Sequence, residues 1–167
     1  MNISKKQILS TTVQINSSDI YKIKNIDGLI LHKLKTREGK SFKHGYIIKG
    51  SVSLINRSIG KIRNIDNKSL IEYKLSYSFD SILPSIGDIY ECIIASVTKM
   101  GLIGYVEYES MNESMNDIKT TPLLIIVPKE YCDIGKQKEG RKIKIETIDK
   151  RIKYMGTQIQ VVGKIID

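Results

Sequence analysis

Residues Gly87 to Val106, GDIYECIIASVTKMGLIGYV, decide how the chain folds. Apolar and polar side chains alternate through Ile89, Glu91, Ile93 and Val97, then break at Lys99-Met100-Gly101. A second apolar run follows in Leu102, Ile103, Tyr105 and Val106. Period-2 patterning on both sides of a short glycine-containing break reads as two antiparallel strands joined by a tight turn. Such hairpins open small Greek-key barrels.

Downstream, Glu107 to Thr121 is polar, carries ESMN twice and has no apolar period, so it is expected to be a flexible loop. Pro122 to Pro128 (PLLIIVP) is a short apolar strand bracketed by prolines, and Lys129 to Glu139 is a connection. Lys142 to Ile148 alternates strictly, Asp149-Lys150-Arg151 is expected to be a turn within a long bent strand pair, and Gln158 to Ile166 supplies a last strand. Five strands after Gly87 match an OB-fold, the five-stranded Greek-key barrel.

Upstream, Gln7 to Ile15 alternates as a strand, and Ser17-Ser18-Asp19 offers an N-cap. Ile20, Ile23, Ile26, Ile30 and Leu34 follow at spacings of three and four, the apolar face of one amphipathic helix, with Gly28 a point of kinking inside it. Strands are expected from Tyr46 to about Ile55, over Lys61 to Ile65, and over Leu70 to Tyr77. The expected N-terminal domain, residues 1–83, is therefore α+β, with a helix covering one face of an antiparallel sheet. Pro84 interrupts pairing and marks the boundary to an all-β, OB-fold (S1-like) barrel over residues 84–167.

The 167 residues carry a net charge of +9, but unevenly. Residues 1–83 hold 15 Lys plus Arg against 6 Asp plus Glu, whereas residues 84–167 hold 12 of each. The barrel half is neutral, and the excess belongs to the half before it. No apolar run reaches the length of a membrane span, and the N-terminus lacks an apolar leader, so an intracellular protein without a membrane partner is expected. Cys92 and Cys132 share no metal-ligand spacing and read as free thiols. Two histidines, no carboxylate cluster, and no nucleophile-elbow, P-loop or dinucleotide glycine pattern give no catalytic residue, no metal site and no cofactor.

The order of parts resembles the family of the seventh subunit of eukaryotic RNA polymerase II and its archaeal counterpart in the polymerase stalk. The landmarks are Gly45-Tyr46-Ile47-Ile48, Gly60-Lys61-Ile62, Tyr73 to Tyr77, and Pro84 just before Gly87-Asp88-Ile89-Tyr90. Val97-Thr98-Lys99-Met100-Gly101 is similar to that family's V-x-x-V-G-F turn, and Pro122 to Val127 to its G-P-L-x-I-F-V strand. The resemblance spans essentially the whole chain. It implies a non-catalytic stalk subunit of a multisubunit DNA-directed RNA polymerase. Such a subunit docks on the large core subunits by the tip of its N-terminal domain, pairs with a smaller stalk subunit, and holds an S1 domain near nascent RNA during transcription. By position, the core-docking tip falls at Arg57, Ser58, Ile59, Gly60 and Lys61. The resemblance implies a nuclear location for a cellular version and the host cytoplasm or virion for a viral one; the wealth of Ile, Lys and Asn and the diverged loops suit the latter.

Where S1 domains carry base-stacking aromatics, this chain places Met100, Leu102, Ile103 and Ile126, leaving Tyr105 and Tyr108 nearby. Expected RNA contacts are Lys99, Met100, Tyr105, Lys129, Arg151 and Lys153, with Lys150 beside them. A neutral barrel with few aromatics implies weak, salt-sensitive, sequence-independent binding of single-stranded RNA. The alternative is a free-standing S1-type RNA-binding or translation-associated protein. An apolar strip at Ile82, Leu83 and Ile86 is a further expected partner surface.

Overall fold

The computed structural model describes residues 3–110 and 114–166. The first half contains β1 (Lys5–Asn16), α1 (Ser17–Ile20), α2 (Ile26–Lys35), β2 (Ser41–Phe42), β3 (Gly45–Ile47), β4 (Ser53–Arg57), β5 (Lys61–Ile65) and β6 (Lys68–Ile82). The second contains β7 (Ile89–Thr98), β8 (Gly101–Tyr105), β9 (Tyr108–Glu109), β10 (Ser114–Met115), β11 (Leu123–Pro128), β12 (Lys142–Ile152) and β13 (Ile159–Ile166). Two compact units are formed, one from Ser4–Glu38 with Ile47–Ser81, the other from Gly39–Tyr46 with Ile82–Asp167.

The expected α+β N-terminal domain is corrected: the protein is mostly β, with 54% of the described residues in strands and 12% helical. The reason lies at Asn25. Its side chain accepts a hydrogen bond from Gly28 N at 3.0 Å, capping a new helix at Ile26 and splitting the run of apolar residues read as one helix. What remains is a four-residue turn of helix and a ten-residue helix burying only Ile30 and Leu34. Gly28 thus sits in a capped first turn, where its small size costs little.

The unit is dominated by strand pairing instead. All twelve residues of β1 pair antiparallel with β6, from Lys5↔Ser81 to Asn16↔Leu70. On the other side of β6, β4 and β5 pair in succession, β4 from Ser53↔Ser78 to Arg57↔Leu75 and β5 from Lys61↔Glu72 to Ile65↔Lys68. Period 2 explains the packing: Tyr73, Leu75, Tyr77 and Phe79 of β6 are buried, while Lys74 between them is exposed. The strand expected from Tyr46 to Ile55 is two, because Gly50 takes a φ of 76° between β3 and β4. Asp66 and Asn67, at φ 48° and 59°, make the tight turn that joins β5 to β6.

The other unit is a closed barrel in the order β11-β13-β12-β7-β8, with β8 returning to β11. Four of its pairings are antiparallel, while β11 and β13 run parallel. This connectivity is consistent with an OB-fold. Inward positions alternate along every strand and are almost sealed: Ile94, Leu102, Leu123, Ile125, Ile145, Ile159 and Val161 expose at most 2% of their surface. Following neighbours outward from Lys142 gives Ile93, Tyr105, Leu124, Gln160 and then Arg151. The path returns to β12 at a different residue, the stagger that closing a sheet requires.

Two sequence expectations change here. Asp149-Lys150-Arg151 does not turn; β12 continues through it, with a register shift between Thr147 and Asp149 taking up the bend. Within the stretch read as a loop, β9 and β10 pair through Glu109↔Ser114 and Tyr108↔Met115. The part of that expected loop at residues 111–113 lies outside the described residues. Thr121 closes the stretch, its buried hydroxyl bonding the carbonyls of Val106 and Leu123 at 3.0 Å each.

Candidate nucleic-acid interface

The β7–β8 turn is held by backbone proximity that only glycine permits. Gly101 has a φ of 143°, and a Cβ built there lies 2.1 Å from the Val127 carbonyl oxygen. Thr98 Oγ1 donates to Gly101 O at 2.9 Å, and Lys129 N donates to Met100 O at 3.0 Å. The turn and the short helical turn after β11 are therefore fixed together. Lys99, Met100 and Lys129 meet at this end of the barrel, all exposed.

Tyr105 is elsewhere. It lies four residues along β8 from Gly101, about 13 Å at the rise of a strand, in the outward row Ile93-Tyr105-Leu124. The outer surface of β8 and β11 around it is aliphatic and half-buried: Ile103, Leu124 and Ile126. Neither strand contains a charged residue. Lys142, beside Ile93, is taken by Glu107 at 3.1 Å, whose hydrogen bond and charge raise its ammonium above the ordinary lysine value. Tyr108 stands on β9.

Arg151 and Lys153 form a second group. Together with Met155, Gly156, Thr157 and Gln160 they line a groove of about 520 Å³ at the β12–β13 connection. Lys150, their neighbour, points away and donates from Nζ to Pro84 O at 2.5 Å. Gln158, also at the groove, donates to Ile118 O at 2.6 Å. Ser41 pins the connection: its N–H donates to Gly156 O at 2.7 Å, its Oγ to Lys153 O at 2.7 Å, and its carbonyl accepts from Met155 N at 2.9 Å. Phe42, next to it, meets Tyr154 edge to face with ring centroids 5.3 Å apart. The six expected RNA contacts thus fall in three places: the β7–β8 turn, the far end of β8 and the β12–β13 groove. Phe42 and Tyr154 were not legible as a pair, since 112 residues separate them and neither stands in an alternating strand.

In the other unit, the expected docking tip has a different setting. Arg57 to Lys61 is not the end of a hairpin but the break between β4 and β5, opposite Tyr73 and Lys74 on β6. Ser58 fills the gap in the ladder, donating from N to Lys74 O at 2.7 Å while its Oγ accepts from Lys74 N at 3.0 Å. Arg57 is engaged by Asp27 and lies over the Tyr73 ring, 5.4 Å from its centroid. Ile59, Gly60 and Lys61 are exposed, Ile59 by 82%. Along the same strands Ile55, Ile62 and Ile65 are also exposed, Ile62 by 73%.

The expected strip at Ile82, Leu83 and Ile86 is reduced to one residue: Ile82 is fully buried, Leu83 half-buried and only Ile86 exposed. Among the described residues, no group of three or more His, Cys, Asp or Glu has metal-binding geometry, and no helix is long and apolar enough to cross a membrane. A scan against protein-family models finds no match, and a search of curated proteins finds none either.

Proposed function

We propose that the chain is a non-catalytic stalk subunit of a multisubunit DNA-directed RNA polymerase. It docks on the large core subunits through the surface of β4 and β5 and holds its barrel near nascent RNA. The observation that carries this reading is the set of isoleucines at 55, 59, 62 and 65, four large apolar side chains exposed along β4, β5 and the break between them, with Ile62 and Ile65 on opposite faces of β5. Burying a fully exposed isoleucine stabilises an interface by about 1.5–3 kcal/mol, and the half-exposed Ile55 and Ile65 contribute less than Ile59 and Ile62. A partner that grips this sheet edge would cover such side chains. The basic excess of the same half, +9 over residues 1–83, suits an acidic docking surface.

Affinity purification of the tagged full chain tests the proposal. Recovery of large polymerase subunits is expected, with an Ile59→Asp/Ile62→Asp variant losing them while folding normally. Recovery of ribosomes or bulk RNA instead refutes the stalk role and selects the free-standing S1-type binder.

A further inference from the structure

We propose that β1 is a self-pairing edge: two copies of the chain join antiparallel through it, about a two-fold axis at Thr11, into one continuous sheet. The inference goes beyond the reading above and does not depend on it, because β4 and β5 occupy the opposite side of β6.

β1 ends its sheet. Among the described residues, Ile8–Asn16 pair with β6 alone, so the N–H and C=O of every second residue there face outward with no strand beside them. Long edge strands are ordinarily blunted by a charge, a proline or a bulge. Between Gln7 and Asn16 this one has none of these: ten uncharged residues, no proline, and an unbroken register within the run from Lys5↔Ser81 to Asn16↔Leu70. β4, across β6, differs in having a register shift between Leu54 and Asn56. The inner row of β1 is also incomplete. Leu9 and Val13 share a face with the buried Ile15 yet are only half-buried, although their β6 neighbours Tyr77 and Tyr73 are sealed. That row lacks a strand on its open side.

The residues of β1 select a second copy as that strand. A two-fold axis perpendicular to the sheet keeps the inner faces of both copies on one side, so opposed residues must share parity. Centred on Thr11, the pairing sets Leu9 against Val13 twice on the inner face, with Ile8 against Gln14 and Ser10 against Thr12 on the outer one. Centred on Ser10, it sets Leu9 against Thr11 and Lys5 against Ile15. Centred on Thr12, it sets Leu9 against Ile15, which is already only 2% exposed. The Thr11 register alone lets the two half-buried apolar residues complete each other. No charge falls within its Ile8–Gln14 span, and Lys6 faces Asn16 rather than a lysine. Seven paired residues extend about 24 Å, a small interface of micromolar strength. Both copies carry the same +9 over residues 1–83, so added salt tightens the dimer.

Size-exclusion chromatography with light scattering tests the full chain at about 100 µM, where micromolar association is mostly complete. The expected mass is about 38 kDa, twice the 19.0 kDa of one chain. Ser10→Glu/Thr12→Glu sets like charges opposite each other twice and weakens dimerisation at least about tenfold. Ser10→Lys/Thr12→Glu restores it to within about threefold, since opposite charges then meet across the axis. Both variants carry the same change beside Lys74, so they differ only in the sign at position 10. In a Cys132→Ser background, Thr11→Cys forms a disulfide-linked dimer on mild oxidation, because the axis sets that position against itself. Ser10→Cys does not, its two copies lying about 8 Å apart. A 19.0 kDa species at the same concentration, equal dimerisation of the two charge variants, or cross-linking by Ser10→Cys and not by Thr11→Cys overturns the proposal. So does a monomer that takes its extra strand from a different protein.

Discussion

Replacing Gly101 by alanine should open the barrel at one seam. The new Cβ would lie 2.1 Å from Val127 O, so the β8 and β11 backbones must separate by about 1.3 Å to reach ordinary contact near 3.4 Å. That movement acts on the Gly101↔Pro128 and Gly101↔Thr98 pairs at once, because the residue is shared between two ladders. A lost hydrogen bond costs about 1 kcal/mol, and holding alanine at a φ of 143° costs about 1–3 kcal/mol more. A total of about 2–4 kcal/mol corresponds to a fall in Tm of about 4–16 °C for a chain of this size. Gly87→Ala is the matched control: its φ is 88°, but a Cβ there meets nothing within 4 Å, so only the conformational term applies. Urea denaturation followed by circular dichroism measures both. Equal destabilisation by the two variants would show that the close approach of Gly101 to Val127 is not what holds the seam.

Other consequences are as direct. Thr147, 1% exposed, buries a hydroxyl oxygen with no hydrogen-bond partner among the described residues, so Thr147→Val should stabilise the protein by about 1–2 kcal/mol in the same urea titration. Asn25→Ala removes the cap of α2 and should cost about 0.5–2 kcal/mol, with the loss of helical circular dichroism confined to that short helix. Burial, and secondarily the charge of Glu91, pushes the Cys92 thiol up to about 12 from an ordinary 9.0. A raised folded-state value means that the unfolded chain releases this proton first, so stability is full below pH 9 and declines between about 9 and 12, by at most about 1.4 kcal/mol per pH unit. Cys92→Ala should flatten that alkaline slope, and in the native protein a thiol reagent should label Cys132, which is only half-buried, well before Cys92.

Strands with one sealed face were legible because period 2 is written in the residues themselves. Ile143 and Ile145 alternate with Lys142, Lys144 and Glu146, and the structure buries the first pair and leaves the lysines in water. The Gly87–Val106 strands and their turn stand, but the sealed face of the first strand is the other one: the alternation picks out Ile89, Ile93 and Val97, whereas Tyr90, Cys92 and Ile94 are buried and Ile89 is exposed. The helix misled because spacings of three and four persist across Tyr21 to Lys24, whereas a competing cap at Asn25 is a local hydrogen bond that periodicity does not register. Arg151 and Lys153 could be named from their type, but not the ring beside them, since Phe42 reaches Tyr154 through tertiary folding alone. The setting of Arg57 to Lys61 was hidden for a related reason. Whether two strands face each other or follow one another along a third is a question of register, and β6 at fifteen residues is long enough to pair with both.

Ser41 has a consequence for how the chain can be taken apart. Gly39–Tyr46 belongs to the barrel unit, although the first-half strands resume after it at Ile47–Ser81. A fragment cut at the proline joint and beginning at residue 84 would retain all five barrel strands but lose the serine that clasps residues 153–156. The units therefore are not beads on a string. The polypeptide leaves the barrel unit and returns to it, so neither half can be deleted, transplanted or exchanged between proteins by a single cut, and a swap that respects the fold must carry the eight residues around Ser41 with the barrel.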